Sequence, residues 1–217
     1  MTIWFASGNK HKKKELKFIL QKTLSGIEVK IPCDDGLGFN PIENGNSFYE
    51  NALIKARELY KLLTDKCLLK SGDAVIADDS GICVNALNGR PGIYSARYAG
   101  AVGKEEIINS DTDRNLMLLK EMNGIKNRSA YFVCAIVLMY NPDNFYIAQE
   151  TFHGTLVKNI SDIRGSHGFG YDPVLFLPEK NMTVAQLSDE EKNLISHRGK
   201  AVRRIAEILK NIVAGTN

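Results

Sequence analysis

The feature that most limits how this chain can fold is an unbroken apolar run of eleven residues at positions 130–140, Ala-Tyr-Phe-Val-Cys-Ala-Ile-Val-Leu-Met-Tyr. A helix that crosses a bilayer needs about 20 such residues, so this run is too short to do so. After Asn141-Pro142-Asp143-Asn144, whose composition is that of a turn, residues 145–152 form a second extended stretch. The two read as a hairpin of long strands, the first buried on both faces.

Strands and helices alternate around that hairpin. Residues 3–6 are a short apolar strand, Ser7-Gly8-Asn9 is a turn, and Leu16, Ile19, Leu20 and Leu24 recur at helical spacing behind it. Ile27, Val29 and Ile31 alternate with Glu28 and Lys30 as in a half-buried strand, and residues 32–46 form a polar loop. A second helix starts at Ser47, where Ser47 and Glu50 have the spacing of a capping box ahead of a stripe made by Phe48, Ala52, Ala56, Leu59 and Leu63. At about 100° per residue, Lys55 falls roughly 20° from Phe48 and so inside that stripe. A lysine there either snorkels or is functional. Residues 74–77 are a strand that runs into Asp78-Asp79-Ser80-Gly81, with extended structure resuming at 82–84 before the turn Asn88-Gly89-Arg90-Pro91-Gly92. Residues 111–122 read as a helix ended near Gly124. A second capping box, Ser188 and Glu191, precedes a last helix carrying Val202, Ile205, Ile208 and Ile212. This mixture predicts an α/β fold of α+β character, with a mixed sheet flanked by helices. With 217 residues and no evident linker, the chain is read as one unit, residues 1–217.

Composition narrows the function classes. Twenty-eight basic against 25 acidic side chains leave a net charge of +3, and the pI of 8.6 is below the value of about 9 expected of a dedicated nucleic-acid binder. Any basic site must be local. Cys33, Cys67, Cys83 and Cys134 are too widely spaced for a close metal-ligand pair and read as reduced thiols. The first residues lack the basic start and apolar stretch of a signal peptide, so the cytoplasm is the expected compartment.

Four places could carry chemistry. The helix after Asn9 opens with Lys10-His11-Lys12-Lys13-Lys14, although a helix N-terminus carries about +0.5 charge and disfavours cations. A bound phosphate would relieve that conflict; otherwise the segment is a solvated basic face. In extended chain the neighbours Asp78 and Asp79 face opposite ways, so one carboxylate can face a ligand while the other braces the loop; spacing does not say which. Beside a polyphosphate site they suit a divalent cation or the activation of water, with Glu43 and Glu50 as further oxygen donors. Gly165-Ser166-His167-Gly168-Phe169-Gly170-Tyr171-Asp172 interleaves glycines with aromatic rings, which suits either a planar base or a tight turn with core-facing rings. Lys192 and Ser196-His197-Arg198-Gly199-Lys200 again place cations near a helix start.

Taken in order, six blocks give the chain a resemblance over nearly its whole length to the inosine triphosphate pyrophosphatase family, which cleaves ITP, dITP and XTP to the monophosphate and pyrophosphate. They are Ser7-Gly-Asn-Lys-His-Lys12, Ser47-Phe-Tyr-Glu-Asn-Ala52 with Lys55, Ala77-Asp-Asp-Ser-Gly81, Pro91-Gly-Ile-Tyr-Ser-Ala-Arg-Tyr-Ala-Gly100, Gly168-Phe-Gly-Tyr-Asp-Pro173 and Ser196-His-Arg-Gly199. The resemblance implies an elongated mixed sheet with two helical lobes and a central cleft, a homodimer, a small-molecule nucleotide substrate and Mg²⁺ dependence. It implies that Ser7, Gly8, Asn9, Lys10, His11 and Lys12 hold the triphosphate, with Lys12 and Lys55 also catalytic. Asp79 would be the proton acceptor and, with Glu43, a metal ligand. Ser80, Phe169, Gly170, Tyr171, Asp172, Lys192, His197 and Arg198 would bind the nucleotide, the aromatic loop and His197-Arg198 near its base. Two departures stand out: Ser7 replaces the usual Thr, keeping the hydroxyl, and His167 replaces a small residue. Two other functions fit the residues, a pyrophosphatase for modified pyrimidine or ordinary nucleotides and a non-catalytic nucleic-acid-binding protein.

Overall fold

The computed structural model describes residues 1–98 and 110–215; of the block 91–100, Ala99 and Gly100 lie outside the described residues. In chain order the elements are β1 (Thr2–Phe5), α1 (Lys10–Thr23), β2 (Glu28–Lys30), α2 (Phe48–Asp65), β3 (Ala74–Val84), α3 (Asp111–Glu121), β4 (Ser129–Asn141), β5 (Asn144–Leu156), β6 (Leu175–Leu177), β7 (Met182–Thr183), α4 (Asp189–Ile195) and α5 (His197–Gly215). Seven strands form one sheet in the order β2-β1-β3-β4-β5-β6-β7. β1 pairs in parallel with β2 and β3, and β6 pairs antiparallel with β5 and β7. The sheet is therefore mixed, as expected. The chain forms two compact units, divided between Asp79 and Ser80, Val133 and Cys134, Glu150 and Thr151, and Ser196 and His197.

In the first unit β1 and the portions of β3 and β4 that belong to it are buried on both faces. On one face Ile3 and Phe5 of β1, Ala74 and Ile76 of β3 and Cys134, Ile136 and Leu138 of β4 pack with Leu16, Ile19 and Leu20 of α1 and Ala201, Val202, Ile205, Ala206 and Leu209 of α5. Their neighbours Trp4, Val75, Ala77, Val137 and Met139 turn to the other face and meet Ala52, Ala56, Leu59 and Leu63 of α2. Period-two alternation against helices on either side explains why these strands read as continuous apolar runs. The second unit has its own core, in which Ile82, Val84, Phe132, Phe152 and Leu175 from the strands pack with Leu118 and Leu119 of α3 and with Tyr171.

Three boundaries differ from the sequence expectation, each for a local reason. β3 does not pause at Asp78-Asp79-Ser80-Gly81 but runs through them without a break. Gly81 makes this possible: a Cβ there would lie under 3.0 Å from Gly92 O and from Oγ and Cβ of Ser95, and Ser95 Oγ in turn accepts the Ile82 N–H at 2.9 Å. Gly81→Ala is therefore expected to destabilise the fold by about 1–3 kcal/mol, as overpacking against backbone does; chemical denaturation measures it. β5 continues past Phe152 to Leu156, because Gly154 allows close approach of β6, where a Cβ would sit 2.6 Å from Phe176 O. The hairpin turn shortens to Pro142-Asp143, with the Asp143 N–H donating to Asn141 Oδ1 at 3.0 Å, an Asx-type closure.

Candidate active site

The alternation that builds the first unit also sorts the two adjacent carboxylates. Ala74, Ile76 and Asp78 point one way along β3, toward α1 and α5; Val75, Ala77 and Asp79 point the other way, toward α2. The two acids thus acquire different partners.

Asp78 is saturated by cations. Lys12 Nζ stands 3.1 Å from its Oδ1 and 3.0 Å from its Oδ2, and the Arg198 guanidinium donates through Nε and Nη2 to Oδ2 at 3.3 and 3.2 Å. Arg198 is held from its other end by Glu15, Nη1 to Oε2 at 2.6 Å. The Cys134 thiol approaches Oδ2 at 3.9 Å. Complete burial would push the Asp78 carboxyl up, but Lys12, Arg198 and Lys55 outweigh it and hold the group well below the usual carboxylate range. Its partners thus favour the carboxylate form.

Asp79 lies in a less cationic setting. Its Oδ2 accepts from Nδ2 of Asn51, a fully buried side chain, at 3.1 Å, and its Oδ1 is 3.4 Å from Lys55 Nζ. Burial is the largest influence and raises its carboxyl above the ordinary value; Lys55, Lys12 and the Asn51 hydrogen bond act the other way without cancelling it. Lys55 does not snorkel. Its side chain is 8% exposed, and Nζ also donates to Glu43 Oε1 at 2.8 Å. Burial alone would lower the ammonium's affinity for its proton, yet the charges of Asp79, Asp78 and Glu43 together raise it.

α1 starts directly after the turn Ser7-Gly8-Asn9, as expected. Asn9 is the N-cap, and its Oδ1 accepts the N–H groups of His11 at 2.9 Å and Lys12 at 3.1 Å, while Ser7 Oγ accepts the Asn9 N–H at 3.1 Å. Two of the amides expected to face a phosphate are thus already capped. Of the basic side chains there, Lys10 and His11 are exposed and Lys12 is partly buried. α2 begins at Ser47, whose Oγ accepts the Glu50 N–H at 3.3 Å, but Glu50 closes back one residue further, onto the Asn46 N–H at 2.6 Å.

The remaining residues of the base-side set divide between the units. His197 and Arg198 open α5 in the first unit and are buried. In the second unit Lys192 Nζ donates to Asp172 Oδ2 at 2.7 Å and lies 4.7 Å from the centre of the Phe169 ring, close enough for a cation–π contact. Asp172 Oδ2 also accepts the Phe169 N–H at 2.9 Å, and the Gly170 N–H is taken by Asp111 Oδ2 at 2.6 Å. At Gly168, with φ +77°, a Cβ would collide with that same Asp172 oxygen. The two rings separate in role: Tyr171 is a core side chain whose hydroxyl donates to Ser95 O at 2.9 Å, whereas Phe169 is only partly buried. Ser80, also in the second unit, is half-buried on β3.

Two contributors are absent from the sequence expectation, Glu15 and, in any assigned role, Asn51. Both leave a trace in the sequence. Glu15 is the one acid in the basic helix Lys10–Thr23, and Asn51 precedes Lys55 by one helical turn on a stripe otherwise apolar.

The chain is similar over nearly its whole length to known proteins. The model of the Ham1 family matches residues 3–208. The dITP/XTP pyrophosphatase of Treponema denticola is 42% identical over 210 residues, covering 97% of this chain and 99% of that protein. That of Clostridium perfringens is 40% identical, covering 96% and 97%. A solved structure of a HAM1 protein from Coxiella burnetii superposes with a TM-score of 0.78 at 33% identity, covering 97% of this chain and 99% of that one.

Proposed function

Because the chain belongs to the Ham1 family, we propose that it hydrolyses the non-standard purine nucleoside triphosphates ITP, dITP and XTP to the monophosphate and pyrophosphate. The observation that carries this reading is the division of Asp78 from Asp79 across β3. One carboxylate is locked as an anion between Lys12 and Arg198. The other is buried, raised toward the range in which it can accept a proton, and set between an amide and a lysine.

In this reading Asp79 takes a proton from the water that attacks the α-phosphorus, the bond from that phosphorus to the bridging oxygen breaks, and pyrophosphate leaves. Lys12 and Lys55 stabilise charge on the transferring group and on the leaving group. The basic start of α1, from Ser7 to Lys12, receives the triphosphate. Glu43 and Asp79 suit a divalent cation, since an oxygen of each lies within 3.4 Å of a single atom, Lys55 Nζ. Among the described residues no group of three or more His, Cys, Asp or Glu could hold a metal ion, so phosphates and water would supply the other ligands, as is usual for Mg²⁺. A bound Mg²⁺ would draw charge from the phosphates. Taken by itself, the second unit carries the Phe169 ring beside the Lys192 ammonium, which Asp172 fixes, a pairing that suits a planar base. The same reading takes the assembly as a homodimer and the compartment as the cytoplasm; among the described residues no helix is long and apolar enough to cross a membrane.

A donor aimed at a 6-oxo group meets another donor in adenine, leaving both buried groups unpaired, which discriminates by on the order of 10⁴. With Mg²⁺ and pyrophosphate detection, kcat/KM for ITP, dITP and XTP should exceed that for ATP by about that factor, with GTP and dUTP also poor. Equal use of ATP, a preference for dUTP, or no pyrophosphate from any nucleotide would overturn the proposal.

A further inference from the structure

The cation closest to the Glu43–Asp79 pair is part of the protein. Lys55 Nζ lies 2.8 Å from Glu43 Oε1 and 3.4 Å from Asp79 Oδ1 on a side chain only 8% exposed, so the ammonium stands where the two carboxylates converge. Two other buried or partly buried cations of the first unit have other partners: Lys12 is engaged by Asp78, and Arg198 by Asp78 and Glu15. A divalent cation arriving alone would have to share these two carboxylates with an ammonium that cannot reach water easily. A cation arriving with a polyphosphate would not, because the phosphate oxygens offer Lys55 another anion.

We propose that Lys55 is an internal counter-ion that keeps the Glu43–Asp79 pair from loading a divalent cation in the absence of nucleotide, and that a polyphosphate releases this block by drawing the ammonium onto itself. The inference rests on the function proposed above and adds an order to it: metal and nucleotide enter together. By linkage, each then raises the other's affinity by the same factor. A lysine in this position has two successive tasks, masking the carboxylates in the free protein and neutralising the phosphates in the complex. The coupling also prevents the free protein from holding a metal ion beside its general base where no substrate is present.

The test is calorimetric titration of Mn²⁺ and Mg²⁺ into the nucleotide-free wild type, Lys55→Met and Lys55→Gln, with folding of each checked by thermal melting without metal. Removing a unit charge a few ångströms away should tighten nucleotide-free binding on the order of 10- to 10³-fold in both variants. In the wild type, a non-hydrolysable α,β-methylene analogue of ITP should tighten Mn²⁺ binding by at least about tenfold, a gain that shrinks in the variants. Variants that bind the free cation no better than wild type, or a wild type whose Mn²⁺ affinity is unaffected by the analogue, would overturn the proposal. Wild-type pyrophosphate release from ITP, measured on the same preparation, separates the two failures: if it persists, the function stands and only the counter-ion role falls.

Discussion

Asp79→Asn is expected to lower kcat for ITP by about 10²–10⁴, the usual worth of a positioned general base, while the protein still folds and binds nucleotide. The loss follows from removing the proton acceptor. That folding survives follows from the group's environment. Asparagine keeps the shape and can still accept the Asn51 hydrogen bond, which spans 3.1 Å in the native protein, through its own carbonyl oxygen. The native carboxyl is raised above its ordinary 3.8, chiefly by burial. A raised carboxyl contributes stability below the unfolded value and loses it as pH rises through the folded one. At neutral pH the charged Asp79 therefore costs stability, and the asparagine variant should unfold at an equal or higher denaturant concentration than wild type. A variant that is both inactive and unfolded would indicate a structural role, and near-normal turnover would remove Asp79 from the chemistry.

Its neighbour should behave in the opposite way. Asp78→Asn takes a buried carboxylate away from both Lys12 and Arg198, and stranding a buried charge costs about 3–5 kcal/mol. The pH dependence has a definite sign. Asp78 titrates in the folded protein below its ordinary value of 3.8, so its contribution is complete above that value and is lost as pH falls toward the folded one. The stability gap between wild type and Asp78→Asn, measured by urea unfolding, should stay constant from neutral pH to about pH 4 and narrow below it. A gap that widens with acidification would contradict the assignment. Two adjacent aspartates in one strand thus give opposite results, one in rate and the other in stability.

How far the sequence discloses this follows from what each pattern encodes. Period-two alternation predicts that Asp78 and Asp79 diverge, but not which meets the helix start, because that depends on β3 lying beside β1 in the register Ile3 to Ala74 and Phe5 to Ile76. The burial of Lys55 is legible from its angle on α2; its two carboxylate partners are not, since Glu43 reaches it from an irregular loop without periodicity. Tyr171 and Phe169 are indistinguishable in a glycine-rich segment, and only the Ser95 carbonyl that receives the tyrosine hydroxyl separates a core ring from an accessible one. The turn before α1 is legible from Ser7-Gly8-Asn9, but which amides the Asn9 side chain caps is not. The long hairpin is legible because its apolar run leaves few alternatives, while its extent depends on Gly154, where β5 comes close to β6.

The most direct measurement is hydrolysis of ITP by the wild-type protein with Mg²⁺ in ¹⁸O-enriched water, followed by mass spectrometry of both products. Attack by an Asp79-activated water on the α-phosphorus predicts one ¹⁸O atom in the inosine monophosphate and none in the pyrophosphate, with no orthophosphate formed. Label in the pyrophosphate, or release of orthophosphate instead, would contradict it.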